Sequence, residues 1–185
     1  MKKAILTILV IVTATLVIYA QGVGLGIKGG VNFANQAVKD VNTKSITNFH
    51  AGAYLNLNIS KKFGITPEVL YTANGSKWVD TKVNTHYIAI PVMFRIMPVK
   101  LLSLEAGPQF SFLTKAEIEG VSDAKDQIKN NDFGMAFGVG LHLPMGLNAG
   151  VRYVYGFTNI SKVSEEEVKN RTFQIYVGLT ILGAK

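Results

Sequence analysis

The chain has no cysteine. Disulfide staples, thiolate chemistry and cysteine metal sites are therefore excluded, as is a lipid anchor on an N-terminal cysteine. Charge is also scarce. Only 17% of residues are Asp, Glu, Lys or Arg, against 48% hydrophobic, which is too few for an ordinary water-facing surface. After residue 20 no apolar run is long enough for a spanning helix, which needs about 20 residues. Any further membrane crossing must be made by strands. There is no arginine-rich stripe and no basic patch interleaved with aromatics. The formal charge of +7 on 185 residues is scattered, so nucleic acid is not an expected partner. A Gly-x-Ser-x-Gly elbow is missing too. His50, His86 and His142 lack metal-ligand spacing with each other or with nearby carboxylates. No enzyme, metal or cofactor is expected.

What is present begins with a leader. Lys2 and Lys3 precede an apolar run from Ala4 to Ile18, followed by Tyr19, Ala20 and Gln21. This is the pattern of a secretory signal peptide. Residues 1–20 are expected to be removed after Ala20, leaving residues 21–185 as one domain. Loss of Lys2 and Lys3 takes the formal charge from +7 to +5.

The mature chain alternates with period two in eight segments. They are Val23–Asn32, Phe49–Ile59, Phe63–Asn74, Tyr87–Ile96, Leu102–Leu113, Phe133–Leu143, Leu147–Phe157 and Phe173–Leu182. In the sixth, Phe133, Met135, Phe137, Val139, Leu141 and Leu143 oppose Gly134, Ala136, Gly138, Gly140 and His142. Glycines in mid-segment argue against helices. Pro67, Pro91 and Pro108 are awkward in central strands; they mark bulges, tight curvature or shorter segments. Short connections at Ser60–Lys62, Pro98–Lys100 and Pro144–Gly146 alternate with long polar ones at Ala34–Asn48, Gly75–His86, Thr114–Asn131 and Thr158–Thr172. Tight turns on one rim and long loops on the other are the rhythm of an outer-membrane barrel. The fold expected is all-β: an eight-stranded antiparallel transmembrane up-and-down barrel with short periplasmic turns and long extracellular loops.

Phe49, Tyr71, Phe112, Phe133, Tyr155, Phe157 and Phe173 share the apolar parity next to the long loops, where they would form an aromatic girdle. Phe63 and Phe94 would begin a second one. The opposite parity carries Lys28, Glu68, Arg95, Glu105 and Arg152. A charge facing lipid costs several kcal/mol, so these side chains are expected inside as an ion-paired plug. Strand adjacency puts Glu68 near Arg95 and Arg95 near Glu105; Arg152 would approach Asp132 or His142. The expected interior charge network is thus Lys28, Glu68, Arg95, Glu105, Asp132, His142 and Arg152.

Other motifs read as structure. Gly24, Gly26 and Gly29 match G-x-G-x-x-G by spacing, but they lie within a strand pattern rather than between a strand and a helix. Trp78 reads as an interfacial or loop residue. Glu165, Glu166 and Glu167 read as a solvated loop, with calcium or surface sugars as alternatives.

Several ordered pieces carry a family resemblance. They are Gly26-Ile27-Lys28-Gly29-Gly30-Val31-Asn32-Phe33, Pro67-Glu68-Val69-Leu70-Tyr71, Tyr87-Ile88-Ala89-Ile90-Pro91-Val92, Leu104-Glu105-Ala106-Gly107-Pro108, Asp132-Phe133-Gly134 and Arg152-Tyr153-Val154-Tyr155-Gly156. In order and spacing the chain resembles the small outer-membrane β-barrels of Bacteroidetes, porin-like or PorT-like. The resemblance implies an eight-stranded barrel in the outer membrane of a Gram-negative bacterium and supplies no catalytic residues. Expected partners are outer-membrane lipid, the barrel-assembly machinery during biogenesis, and an extracellular ligand or envelope protein. The function expected is structural or surface interaction. The alternatives are a porin-like channel for small solutes, a secreted lipocalin-like binder with its apolar parity inward, and a lipid hydrolase with a serine–histidine–carboxylate cluster at the long-loop rim.

Overall fold

A computed structural model describes residues 22–38, 43–78, 81–118, 125–162 and 167–183. The expected leader, residues 1–20, and Glu165 and Glu166 lie outside the described residues. Eight strands form a closed antiparallel barrel in chain order. They are β1 Val23–Val38, β2 Thr43–Asn58, β3 Phe63–Trp78, β4 Thr81–Val99, β5 Leu102–Ile118, β6 Asn131–His142, β7 Leu147–Gly156 and β8 Val168–Gly183. β8 closes on β1 through a register that runs from Gly24↔Gly183 to Val38↔Val168. One short turn, Pro144–Gly146, places Met145 at φ 65° and Gly146 at φ 81°, the left-handed geometry that glycine tolerates best.

The alternation decides which way each side chain points. Ile27, Phe49, Val69, Phe94, Phe137, Tyr153 and Val177 are all exposed on the outside. Lys28, Glu68, Arg95, Glu105 and Arg152 are buried inside. The outward apolar faces run from Phe49 to Leu57 on β2, Leu102 to Phe112 on β5 and Phe173 to Ile181 on β8. Each is about ten residues, the length that crosses a band of about 25 Å when tilted. An apolar exterior around a polar lumen excludes the lipocalin arrangement.

The strands are longer than this band. Much of what reads as long loop is strand: β1 continues to Val38, β2 starts at Thr43, β3 ends at Trp78, β4 starts at Thr81 and β5 reaches Ile118. Trp78 ends a strand rather than lying in a connection, and His86 sits within β4. These extensions are hidden in the sequence because their outward positions turn polar. Thr47 extends the outward face of β2, Lys77 that of β3, and Lys169 and Arg171 that of β8. Once the outer face no longer has to be apolar, the alternation that marks a strand disappears.

The prolines are accommodated without the expected bulges. The β3–β4 register holds from Pro67↔Val92 to Leu70↔Ala89 with the intervening pairs missing. The β4–β5 register likewise holds from Pro91↔Gln109 to Phe94↔Ala106. A proline has no N–H to donate, so the ladder drops pairs and keeps its register. The register irregularities lie elsewhere, between Leu25 and Gly26 in β1 against β8, between Ser45 and His50 in β2 against β3, and between His86 and Tyr87 and between Ile96 and Val99 in β4 against β5.

Candidate functional site in the barrel lumen

Each inward side chain is held by its place in a strand. Glu68 on β3 accepts hydrogen bonds from Lys28 Nζ at 2.9 Å and from Arg152 Nη1 and Nη2 at 2.8 and 2.9 Å. Arg152 also reaches Glu105 Oε2 at 3.2 Å. One guanidinium thus joins two carboxylates from β3 and β5, and one carboxylate joins two cations. The bidentate geometry is the strong form of such a pair. Tyr176 donates to Glu105 Oε2 at 3.3 Å, and its ring lies 3.9 Å from Lys28 Nζ. Room for the two largest inward rings comes from glycine. A Cβ at Gly26 would collide with Tyr54, and one at Gly150 with Tyr176. These glycines serve lumen packing, and β1 runs unbroken through Gly24, Gly26 and Gly29 to Val38, so no helix follows to build a dinucleotide site.

The pairing differs from the expected one. Arg95 stands directly opposite Glu105 in register but forms no ion pair with Glu105 or Glu68; its Nη2 donates to Asn58 Oδ1 at 2.8 Å. Glu105 is already engaged by Arg152, Tyr176 and Ser103. Arg152 approaches neither Asp132 nor His142. Asp132 accepts from Asn170 Nδ2 at 2.8 Å, and His142 Nε2 meets Ser103 Oγ at 2.9 Å. Strand neighbourhood does place Arg95 beside Glu105, and Glu68 lines the same small space, but it does not name the ion pairs, because long side chains in a narrow barrel reach across the lumen as readily as along the wall. Glu68 and Arg152 lie on β3 and β7, which share no ladder.

Polar layers flank the ion pairs. On one side, Asn32 links His50 Nδ1 at 2.7 Å, Thr72 Oγ1 at 2.8 Å and Gln174 Nε2 at 3.1 Å. Towards the short turns, Tyr54 Oη meets Thr180 Oγ1 at 3.0 Å and accepts from Asn148 at 2.7 Å. The space left among Lys28, Tyr54, Glu68, Arg95, Glu105 and Tyr176 is about 20 Å³, enough for one water. Sequence reasoning passed over Tyr54, Tyr176, Ser103, Asn32 and Gln174. Their inward parity was the available signal.

Ser103, His142 and Glu105 do make contact, yet not as a catalytic set. Ser103 Oγ donates to Glu105 Oε1 at 3.1 Å and also meets His142 Nε2. The serine stands between the other two, whereas a triad needs the imidazole between serine and acid. Ser103 is fully buried and lies at the short-turn end, away from the rim where the hydrolase alternative required it.

A second, apolar layer lies towards the long-hairpin end. Tyr87, Leu113, Ala116, Ile128, Ile160 and Val168 form a buried apolar cluster. The described parts of two connections, residues 125–130 and 157–162, are tied to each other by Lys129 N–H to Ile160 C=O at 2.7 Å and Lys162 N–H to Gln127 C=O at 2.9 Å. The extra residue Thr114 at the β4–β5 bulge turns Ala116 inward beside Leu113. A bulge changes which parity faces in, so simple alternation misassigns Ala116.

The outer face carries the aromatic girdle. Phe33–Phe173, Phe49–Tyr71, Phe110–Phe133 and Phe133–Phe157 have ring centroids 4.9–6.3 Å apart. Tyr155 holds the Arg171 guanidinium 3.3 Å from its ring centroid.

Comparison with known proteins accords with this geometry. The family model described as "Outer membrane protein beta-barrel domain" matches residues 19–162. Neisserial surface protein A is similar in structure, with a TM-score of 0.60, 19% identity, and coverage of 86% of this chain and 99% of that one. OprG from Pseudomonas aeruginosa gives 0.57 and 14%, covering 88% and 99%. Ail, the attachment invasion locus protein of Yersinia pestis, gives 0.51 and 14%, covering 86% and 99%, in a complex with the heparin analogue sucrose octasulfate. At such identities the likeness is one of fold. No curated protein matches the chain.

Proposed function

The chain belongs to the outer membrane protein beta-barrel domain family, and from that premise we propose that it is a closed, non-conducting barrel whose working part is the surface formed by its long hairpins. The observation that carries this reading is the Lys28–Glu68–Arg152–Glu105 bridge across the lumen, with a cavity of only about 20 Å³ beside it. A hydrated solute needs a continuous path, and the described residues fill the lumen at the ion pairs and again at the apolar cluster around Tyr87. Removal of residues 1–20 as a signal peptide, short turns in the periplasm and long hairpins outside complete the reading. Its partners are outer-membrane lipid, the assembly machinery during insertion, and a ligand or envelope protein at the hairpin surface. The role is structural or adhesive rather than enzymatic. The ordered motifs from Gly26–Phe33 to Arg152–Gly156 support a place among the small Bacteroidetes barrels. The test is planar-bilayer recording on the purified full chain. The expected trace is silent; reproducible open-channel steps would overturn the closed-lumen reading and favour the porin-like one.

A further inference from the structure

Outside the lumen, a cleft of about 420 Å³ opens at the long-hairpin rim. That lies within the usual range of ligand pockets, about 300–1,000 Å³. Its floor is apolar: Phe110, Phe112 and Phe133 face outward, half-exposed, with the Phe110 and Phe133 rings 4.9 Å apart. Lys129 and Lys162 also line it, both exposed. Neither ammonium has a carboxylate partner among the described residues, and Asp132 turns its carboxylate into the lumen towards Asn170. The lysines sit on backbone fixed by hydrogen bonds to Ile160 and Gln127. The exposed amides of Asn130 and Asn131 lie beside them.

We propose that this cleft binds a phosphorylated, acylated glycolipid of the outer leaflet. Its phosphate lies with Lys129 and Lys162, its sugar hydroxyls with the asparagine amides, and its first acyl segment along the phenylalanine rings. Charge complementarity supplies the anion. The aromatic floor at the apolar boundary requires the same molecule to carry hydrocarbon, which a free phosphate or a soluble polyanion lacks. The amides favour a sugar head group over a plain glycerophosphate. The assignment to the outer leaflet rests on the sidedness proposed above, whereas closure of the lumen does not enter it.

Native mass spectrometry of the purified full chain, with diphosphoryl lipid A and phosphatidylglycerol as probes, tests the assignment. Lipid A should bind more tightly than phosphatidylglycerol. Lys129→Gln with Lys162→Gln should weaken lipid A binding roughly thirtyfold, the scale for two lysines at an anionic surface, with the melting temperature unchanged. Lys44→Gln with Lys77→Gln removes the same charge from the β2–β3 side of the rim, where these residues stand opposite one another, and should shift binding by less than about twofold because screening confines such effects to about 10 Å. Equal binding of phosphatidylglycerol, an equal loss in both double variants, or no loss in the first would each overturn the proposal. A conducting wild-type barrel would sink the closed-lumen reading and leave this one standing.

Discussion

Two zones of the lumen are filled by opposite chemistries. In the zone with an apolar exterior, the inside is built from Lys28, Glu68, Glu105 and Arg152 with tyrosines, asparagines and glutamines. In the hairpin zone, the inside is Tyr87, Leu113, Ala116, Ile128, Ile160 and Val168, while the outside carries Lys44, Lys77, Lys169 and Arg171. The same strands pass through both. What changes is the solvent around them. Where the wall meets lipid, burying apolar side chains inside gains little and the outward positions must be apolar. Where the wall meets water, the ordinary hydrophobic rule returns. The barrel is inside-out along one part of its length and conventional along the rest.

The comparison can be broken first at the charged seal. Glu68→Gln leaves Lys28 without its carboxylate and Arg152 with only Glu105. It should cost about 3–5 kcal/mol, the range for removing one partner of a buried pair, read by urea unfolding in lipid vesicles. Pairing it with Lys28→Gln should recover part of the loss, because no uncompensated ammonium remains. A double variant as damaged as the sum of its singles would mean that the two groups act independently.

The apolar seal comes next. Ile160 is 1% exposed, and Ile160→Ala should cost about 2–4 kcal/mol by cavity formation. The loss should be local: proteolysis within the hairpin segments should quicken while the band stays protected. Equal loosening of both zones would erase the distinction between them.

The outer surface sharpens the contrast. Val177 is at the middle of the apolar face of β8 and 60% exposed. Val177→Arg should cost about 2–4 kcal/mol at the centre of the bilayer. Thr47→Arg, on an exposed outward position at the hairpin edge of the band, should change unfolding by less than about 0.5 kcal/mol. The smallest effect belongs to the exposed Lys115–Glu117 pair. A hydrogen bond from Lys115 holds the Glu117 carboxyl below its ordinary range, yet such surface pairs are screened and worth little. Glu117→Gln should leave the melting temperature unchanged.

The inside-out zone was legible in the sequence because lipid imposes a strict alternation there. Phe173, Ile175, Val177, Leu179 and Ile181 have no freedom to be polar, so strand number, pairing order and the inward position of Glu68 and Arg152 could be read off. The partners of the charges were not legible. Glu68 meets Arg152 across the lumen, a contact that depends on side-chain reach rather than on neighbouring strands. The conventional zone was hardly legible. Residues 34–38 and 43–48 extend a hairpin through outward positions that face water, and Ile128 and Ile160 find each other only after two connections fold together. Thr114 adds a bulge that shifts Ala116 to the inside, and nothing in the local composition announces it.

Cysteine accessibility along β8 tests the change of surroundings most directly, and the chain's lack of native cysteine makes the scan clean. Single cysteines at Lys169, Arg171, Phe173, Ile175, Val177, Leu179 and Ile181 share the outward face. In bilayers, a water-soluble maleimide should label positions 169 and 171 rapidly, and labelling should fall sharply at position 173 and stay low through 179. Uniform labelling along the whole face would contradict the account, because water would then surround both zones alike.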